Sequence, residues 1–145
     1  MKTNGESLLV HRQARFKFTL IEEFVAGMVL SGGEVKMLRL HRGSLIGSYV
    51  RILNGEAYLL NAQIPLYPFA RQEDYEPTQP RKLLLHKREL LRLQQSQETK
   101  GLALVPLEIF LLGNHIKLRL AIAKGKQLHD RREELKKRDL EREGR

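Results

Sequence analysis

Residues 49–60 constrain the fold of this 145-residue chain more than any other stretch. Tyr49-Val50-Arg51-Ile52-Leu53 reaches Asn54-Gly55 and returns as Glu56-Ala57-Tyr58-Leu59-Leu60. An Asn-Gly pair between alternating runs supplies the two positive-φ residues of a type I′ turn, so these runs are predicted to pair as a tight hairpin. A lone hairpin is marginal in water and needs further strands with a shared apolar face. The sequence supplies them. Leu104 to Leu111 leads to Gly113-Asn114, and Ile116-Lys117-Leu118-Arg119-Leu120-Ala121-Ile122 alternates cleanly on return. Pro106 lacks an N–H, which places it at a sheet edge or a strand start.

Upstream, Phe16, Phe18 and Leu20 alternate with Arg15, Lys17 and Thr19, another strand pattern. It resumes from Phe24 to Leu30, and Glu22-Glu23 breaks the alternation as a bulge would. Residues 1 to about 14 are polar and basic, and are expected to be loosely ordered. Two helices interrupt the strands. Ser31-Gly32-Gly33-Glu34 has the spacing of a capping box, with a short helix following through Arg39. A longer helix is predicted from Thr78 or Pro80 to about Gln95, with Leu83, Leu84, Leu90 and Leu91 in one stripe and Arg81, Arg88 and Arg92 on another face. Lys87 then falls among the leucines, so either it extends its amine out past them or the helix register is imperfect.

Hydrophobic residues make up 41% of the chain, enough for a core, while 26 Lys and Arg against 17 Asp and Glu leave a formal charge of +9. An excess of this size favours a polyanionic partner, because each neutralised phosphate releases condensed counterions. Cysteine is absent, which rules out disulfides, Cys-based zinc sites and thiol nucleophiles. His11, His41, His86, His115 and His129 show no metal-ligand spacing. Ser31-Gly32-Gly33-Glu34 lacks the Lys-Ser/Thr of a nucleotide-binding loop, and no nucleophile elbow is present. No catalytic site, metal or cofactor is expected. No apolar run approaches the roughly 18 residues that span a bilayer. No membrane association is expected, and a cytoplasmic location is.

Four segments read as RNA-facing. They are Arg12-Gln13-Ala14-Arg15-Phe16, Glu34-Val35-Lys36-Met37-Leu38-Arg39, Arg81-Lys82-Leu83-Leu84-Leu85-His86-Lys87-Arg88, and Lys124-Gly125-Lys126-Gln127-Leu128-His129-Asp130-Arg131-Arg132. The last three also have a plainer reading. Glu34 can serve only its capping box, the third segment can be a solvated helix face, and the fourth can be an ordinary charged tail. From Lys124 to Arg145 the chain holds nine basic and six acidic residues. Such a segment has too little apolar surface to order itself alone.

Taken in order, the motifs Arg-x-Ala-Arg, Gly-x-Glu-Val-Lys-x-Leu-Arg, Ser-Tyr-x-Arg-Ile, Pro-Thr, Arg-Lys-Leu-Leu-Leu-His-Lys-Arg-Glu, Leu-Val-Pro-Leu and Ala-Lys-Gly-Lys resemble the small protein B family, the bacterial partners of transfer-messenger RNA. The resemblance runs from about His11 to Arg138. It implies a mainly β fold: an antiparallel oligonucleotide/oligosaccharide-binding (OB-fold-like) barrel over residues 1–123, with residues 1–10 flexible and two or three helices flanking it. Residues 124–145 become a flexible basic tail, disordered alone and helical when docked. The implied role is binding the tRNA-like domain of transfer-messenger RNA and delivering it to stalled ribosomes, with elongation factor Tu and alanyl-tRNA synthetase associated through the RNA. A monomer is expected. The alternative is a general structured-RNA or ribosome-associated module with another target. By resemblance Arg12, Arg15, Phe16, Glu34, Lys36 and Arg39 fall on the transfer-messenger RNA side, and the third basic segment adds Arg81, Lys82, His86, Lys87 and Arg88 to it. By resemblance His129, Asp130, Arg131 and Arg132 fall to the ribosomal decoding centre, and the fourth segment adds Lys124 and Lys126. The chain departs from the family at His11, at Phe16-Lys17-Phe18, at Gly47, and at Gly33, where the usual residue is Thr.

Overall fold

The computed structural model describes residues 5–70 and 74–125. These residues form β1 (Ser7–Val10), α1 (Ala14–Lys17), β2 (Phe18–Met28), α2 (Gly32–Arg39), β3 (Tyr49–Leu53), β4 (Glu56–Leu60), β5 (Arg81–Leu84), α3 (Lys87–Gln97), β6 (Leu102–Leu112) and β7 (His115–Gly125). All strand pairs are antiparallel, in one sheet of order β1-β6-β7-β2-β5-β4-β3. The sheet curls so that β3 approaches β6, and one core joins Leu8 and Leu9 at one end to Val50 and Ile52 at the other. Hydrogen bonds do not close the ring between β3 and β1. The fold is mainly β and roughly OB-like.

Both predicted hairpins form. Leu53 pairs with Glu56, and Asn54 (φ 52°) and Gly55 (φ 77°) hold the left-handed conformations a type I′ turn needs. Leu112 pairs with His115, and of the two turn residues only Gly113 has positive φ, the pattern of a II′ turn.

Two bulges decide which face each long strand offers. The β2–β7 register slips between Leu20 and Glu22, leaving Ile21 over, one residue ahead of the predicted break. Phe18 and Leu20 therefore lie against an outer cluster of Ala14, Val105, Leu107, Ala121 and Ala123, whereas Phe24 and Ala26 point into the main core. In β6 the register slips between Pro106 and Glu108, so the core-facing positions change from Leu104 to Ile109. Without that slip Glu108 would point inward, because strand side chains alternate strictly. Pro106 sits at this bulge, within the strand rather than at its start. Its carbonyl accepts a hydrogen bond from His11 Nδ1 at 2.7 Å on the flank where β1 no longer pairs, so its missing N–H costs no ladder bond there.

Three expectations need correction. Residues 7–10 are not loose: Leu8 and Leu9 are buried, and β1 pairs with β6. The strand predicted from Phe16 begins at Phe18, after the single helical turn of α1. The long helix starts at Lys87 rather than near residue 80, because residues 81–84 form β5 between β2 and β4. Glu89 accepts the His86 N–H at 2.9 Å and fixes the true helix start. The buried stripe of α3 is accordingly Leu93 and Ser96 with half-buried Leu90, while Leu91 is exposed and Lys87 points to solvent. At its far end Gln97 covers the open edge of β3. The Ile52 N–H donates to Gln97 Oε1 at 2.7 Å, and Gln97 Nε2 donates to the Ile52 carbonyl at 3.0 Å.

Arg81 is the largest polar side chain in the interior, 1% exposed, against Glu34 at 3%. Arg81 Nη2 lies 2.7 Å and Nε 2.8 Å from Glu34 Oε2, and Nη1 donates to the Ala62 carbonyl at 2.6 Å. Nη2 also donates to the Tyr75 hydroxyl at 2.9 Å. That hydroxyl has one proton to give; the Ile64 carbonyl at 2.6 Å takes it in preference to Glu34 at 3.2 Å. The other Glu34 oxygen accepts the Ser31 N–H at 3.0 Å, and Ser31 Oγ accepts the Glu34 N–H at 3.2 Å, which completes the predicted capping box. Burial pushes the Glu34 carboxyl up, but the Ser31 amide, the Arg81 guanidinium and the Gln79 amide outweigh it and hold it below its usual value.

Removing one partner of a buried pair strands the other charge, so Arg81→Met is expected to lower unfolding free energy by about 3–5 kcal/mol in urea titrations. Because the folded pKa of Glu34 is depressed, its contribution is present above the unfolded value of 4.5 and is lost as pH falls through the folded value. The stability gap between the parent chain and Glu34→Gln should therefore narrow as urea midpoints are taken from neutral pH to below 4. A constant gap would show that ionisation of Glu34 contributes nothing.

Candidate nucleic-acid interface

Strand β5 meets β2 only at Gly27–Leu84 and Met28–Leu83, with one further bond from the Val29 N–H to the Lys82 carbonyl at 2.9 Å. Beyond this short ladder the strands separate, and a groove opens. It consists of two adjoining hollows, of about 300 and 250 Å³, that share Gly27, Leu84 and Lys117. His86 and Glu89 line one, and Asn114 and His115 the other. Gly27 keeps the floor low: a Cβ there would lie 3.3 Å from Leu84 Cβ and 3.6 Å from Lys117 Nζ. Leu84, 55% exposed, offers an apolar flank next to a lysine ammonium, two imidazoles and a side-chain amide. Such a lining suits a ribose-phosphate backbone, with a cation for phosphate, imidazole and amide for 2′-hydroxyls, and a leucine for sugar or base faces.

The other predicted RNA-side residues are spread over several surfaces. Arg12 and Arg15 are exposed and line a hollow of about 260 Å³ with His11, Glu108 and Arg119, while Phe16 beside them is half-buried. There Arg119 packs over the Phe110 ring at 4.7 Å and bonds Glu108 at 3.2 Å. Lys36 and Arg39 are exposed on α2. Lys82 lies on the outer face of β5, 3.0 Å from Glu56, whose other oxygen accepts the Tyr58 hydroxyl proton at 2.8 Å. The hydrogen bond to Glu56 pushes the Lys82 ammonium up and, from the other side, holds the Glu56 carboxyl down. His86, Lys87 and Arg88 are exposed at the start of α3, but Arg88 borders a hollow that also holds Glu22, Glu23 and the Glu22–Arg92 pair. Lys124 is exposed near the end of β7. Lys126, His129, Asp130, Arg131 and Arg132 lie outside the described residues.

Two predicted contacts do not reach the surface. Glu34 and Arg81 bond each other in the interior and present no atoms to a partner. Sequence reading also missed Leu84, Lys117, Asn114 and His115. A signal for Lys117 existed, since strict alternation around Ile116 and Leu118 turns it outward; Leu84 was lost by assigning its segment to a helix. Among the described residues no group of three or more His, Asp or Glu converges as a metal site.

Comparisons with known proteins show what the whole chain resembles. The family described as SmpB protein matches residues 8–145. The SsrA-binding protein of Carboxydothermus hydrogenoformans is 46% identical over 133 residues, covering 92% of this chain and 89% of its own. That of Aquifex aeolicus is 47% identical over 139 residues, covering 92% and 88%. That of Chlorobium phaeovibrioides is 48% identical over 134 residues, covering 92% and 85%. A solved chain described as "tmRNA-SmpB: a journey to the center of the bacterial ribosome" superposes with a TM-score of 0.69 at 39% identity, covering 86% of this chain and 91% of that one.

If the β2–β5 groove holds a phosphate backbone, Lys117→Ala should weaken binding of structured RNA and reduce the slope of log affinity against log salt by about 1. An unchanged slope in salt titrations would place the phosphate contacts elsewhere.

Proposed function

The chain belongs to the SmpB protein family, and from that premise we propose that it binds the tRNA-like domain of transfer-messenger RNA and delivers it to stalled ribosomes for trans-translation. The observation that carries this reading is the 39% identical tmRNA–SmpB chain, whose fold this one shares over 86% of its length. The curved sheet, with cations on its outer surfaces and an open groove at the β2–β5 junction, supports it physically. A folded RNA elbow presents phosphates, 2′-hydroxyls and shape rather than readable base edges, so Arg, Lys, His and Asn side chains on a rigid frame suffice. Arg12, Arg15, Lys36, Arg39, Lys82, His86, Lys87 and Arg88 are the direct contacts in this reading, joined by Lys117 and Leu84. Glu34 and Arg81 act on the RNA only by fixing α2 and β5.

The tail is assigned to the ribosome on the family resemblance. Lys124, Lys126, His129, Asp130, Arg131 and Arg132 engage the decoding centre, and the tail lies in the empty mRNA channel. The His129 ring is suited to stacking on an unpaired ribosomal base, a contact worth about 1–3 kcal/mol. Ordering a charged tail on docking makes binding conditional on an unoccupied channel, and so reports missing mRNA. Elongation factor Tu and alanyl-tRNA synthetase associate through the shared RNA, and the chain acts as a cytoplasmic monomer without catalysis of its own.

Two measurements test this reading. The chain is expected to bind transfer-messenger RNA well above a bulk tRNA pool at near-physiological salt; equal affinity would favour a general structured-RNA module, since phosphate attraction alone does not discriminate. Asp130→Ala combined with Arg131→Ala and Arg132→Ala should leave that RNA affinity nearly intact and abolish tagging of a truncated peptide in a reconstituted stalled-ribosome assay. Loss of RNA affinity instead would make the tail part of the RNA-elbow site.

A further inference from the structure

A second RNA-directed surface lies on the loop after β4, and it shares no lining residue with the β2–β5 groove. Tyr67-Pro68-Phe69-Ala70 forms a turn closed by a hydrogen bond from the Ala70 N–H to the Tyr67 carbonyl at 2.9 Å. Proline in the second place presets φ for such a turn and stiffens it. The third place carries Phe69, which is 82% exposed, the most exposed of the large hydrophobic side chains among the described residues. Its ring does not stand alone. Tyr67 meets it edge to face, with centroids 5.4 Å apart and planes at 61°. On the neighbouring helix the Lys36 ammonium lies 5.9 Å from the Tyr67 ring centre. Arg39, also on α2, is exposed and has no acceptor among the described residues.

The seat of this loop depends on Gly33 of α2. A Cβ on Gly33 would come within 3.2 Å of Tyr67 Cβ and 3.5 Å of Ala70 Cβ. Contact at 3.2 Å is tighter than ordinary van der Waals packing, so a side chain at this position would make the turn shift by a few tenths of an ångström. With glycine there, the turn rests on the helix and presents a phenyl ring to solvent, edge to face with the Tyr67 ring that Lys36 approaches.

We propose that Tyr67 and Phe69 form a stacking platform for an unpaired nucleobase, with Lys36 and Arg39 taking the phosphates that flank it. This deepens the RNA-binding reading above and rests on it. Aromatic faces held near cations are how single-stranded nucleic acid is bound without base-specific hydrogen bonds, since every base has a π-face. A duplex cannot use such a ring unless a base leaves its stack, so the platform selects a loop, bulge or end. Charge decides between an RNA and an apolar protein segment as the occupant: the exposed Lys36 lies against the Tyr67 ring and the exposed Arg39 is on the same helix, on a chain of net charge +9.

The unpaired base can come from transfer-messenger RNA or from ribosomal RNA, and two arms of one experiment separate these sources. The full chain is irradiated with short-wave ultraviolet light on transfer-messenger RNA alone, and again with ribosomes present, and nucleotide adducts are mapped on the tryptic peptide of residues 52–71. An adduct on Phe69 or Tyr67, rather than on Tyr58 of the same peptide, is expected in at least one arm. In that arm Phe69→Leu, which keeps the side chain apolar but removes the ring, should lower affinity roughly five-fold or more. The melting temperature should not change, because the ring is exposed. Absence of an adduct at both rings in both arms, or an adduct with unchanged Phe69→Leu affinity, overturns the platform. Equal affinity of the parent chain for transfer-messenger RNA and bulk tRNA would instead overturn the functional reading, and the adduct map would still decide the platform.

Discussion

The buried pair of Glu34 and Arg81 is the interaction on which the rest of the architecture turns. It joins residues 47 positions apart, and through hydrogen bonds to Ser31, Ala62 and Tyr75 it ties the start of α2, the segment after β4 and strand β5 to one point. Strand β5 is only four residues long and shares just two register positions with β2. On its other side it pairs with β4 at three positions, and the guanidinium anchored on Glu34 ties it to α2 as well. Because β5 is held there and no further, β2 and β5 diverge beyond Gly27, and the groove with Lys117 and Leu84 is what the divergence leaves. The candidate RNA site thus lies beside the strand that the buried arginine anchors.

The same pair explains why the reading of the sequence succeeded in some places and failed in others. Features whose cause is local were legible. Asn54-Gly55 sets its turn through two backbone angles, and Ser31 with Glu34 closes a box within one helical turn. The alternation of Ile116, Leu118, Leu120 and Ile122 survives intact as the inner face of β7. Residues 81–91 failed for a physical reason. Three successive leucines have no period, and arginines at 81, 88 and 92 happen to fit a helical face. What makes Arg81 a strand residue is a carboxylate 47 positions earlier, and nothing in the local pattern reports it. The true helix start was present in the spacing of His86 and Glu89, but a histidine is an uncommon residue at that position and was passed over.

Resemblance and geometry contributed different things to the functional reading. The ordered motifs identified the family and its RNA, which charge alone could not do. The resemblance carried Glu34 over as an RNA contact and the basic segment 81–88 suggested Arg81, whereas the structure makes both interior. Lys36 and Arg39, from the same motif as Glu34, are on the surface. One motif thus holds both kinds of residue, Glu34 in the frame and Lys36 and Arg39 on the surface. The helix makes this unavoidable: Glu34 must face inward to reach Arg81, so Lys36, two positions on, is turned away from that face.

An ion pair in a core is a costly way to hold a strand, since desolvating two charges offsets most of their attraction and a well-packed apolar pair is often as stable. Its advantage here is specificity of register. Arg81, Lys82, Leu83 and Leu84 alternate between the core and the outer face, with Arg81 and Leu83 inside and Leu84 exposed. A slip of one residue would bring Lys82 and Leu84 inward and turn Arg81 and Leu83 outward. Apolar packing discriminates weakly against that slip, because Leu84 fills a core position as readily as Leu83. The pair discriminates strongly, because the slipped strand leaves Glu34 buried without its cation and asks Lys82 to desolvate in place of a planar, five-donor guanidinium. Leu84 and Lys82 are therefore kept on the outer face by the electrostatics of the residue beside them, and the groove retains its apolar flank at the cost of a polar core.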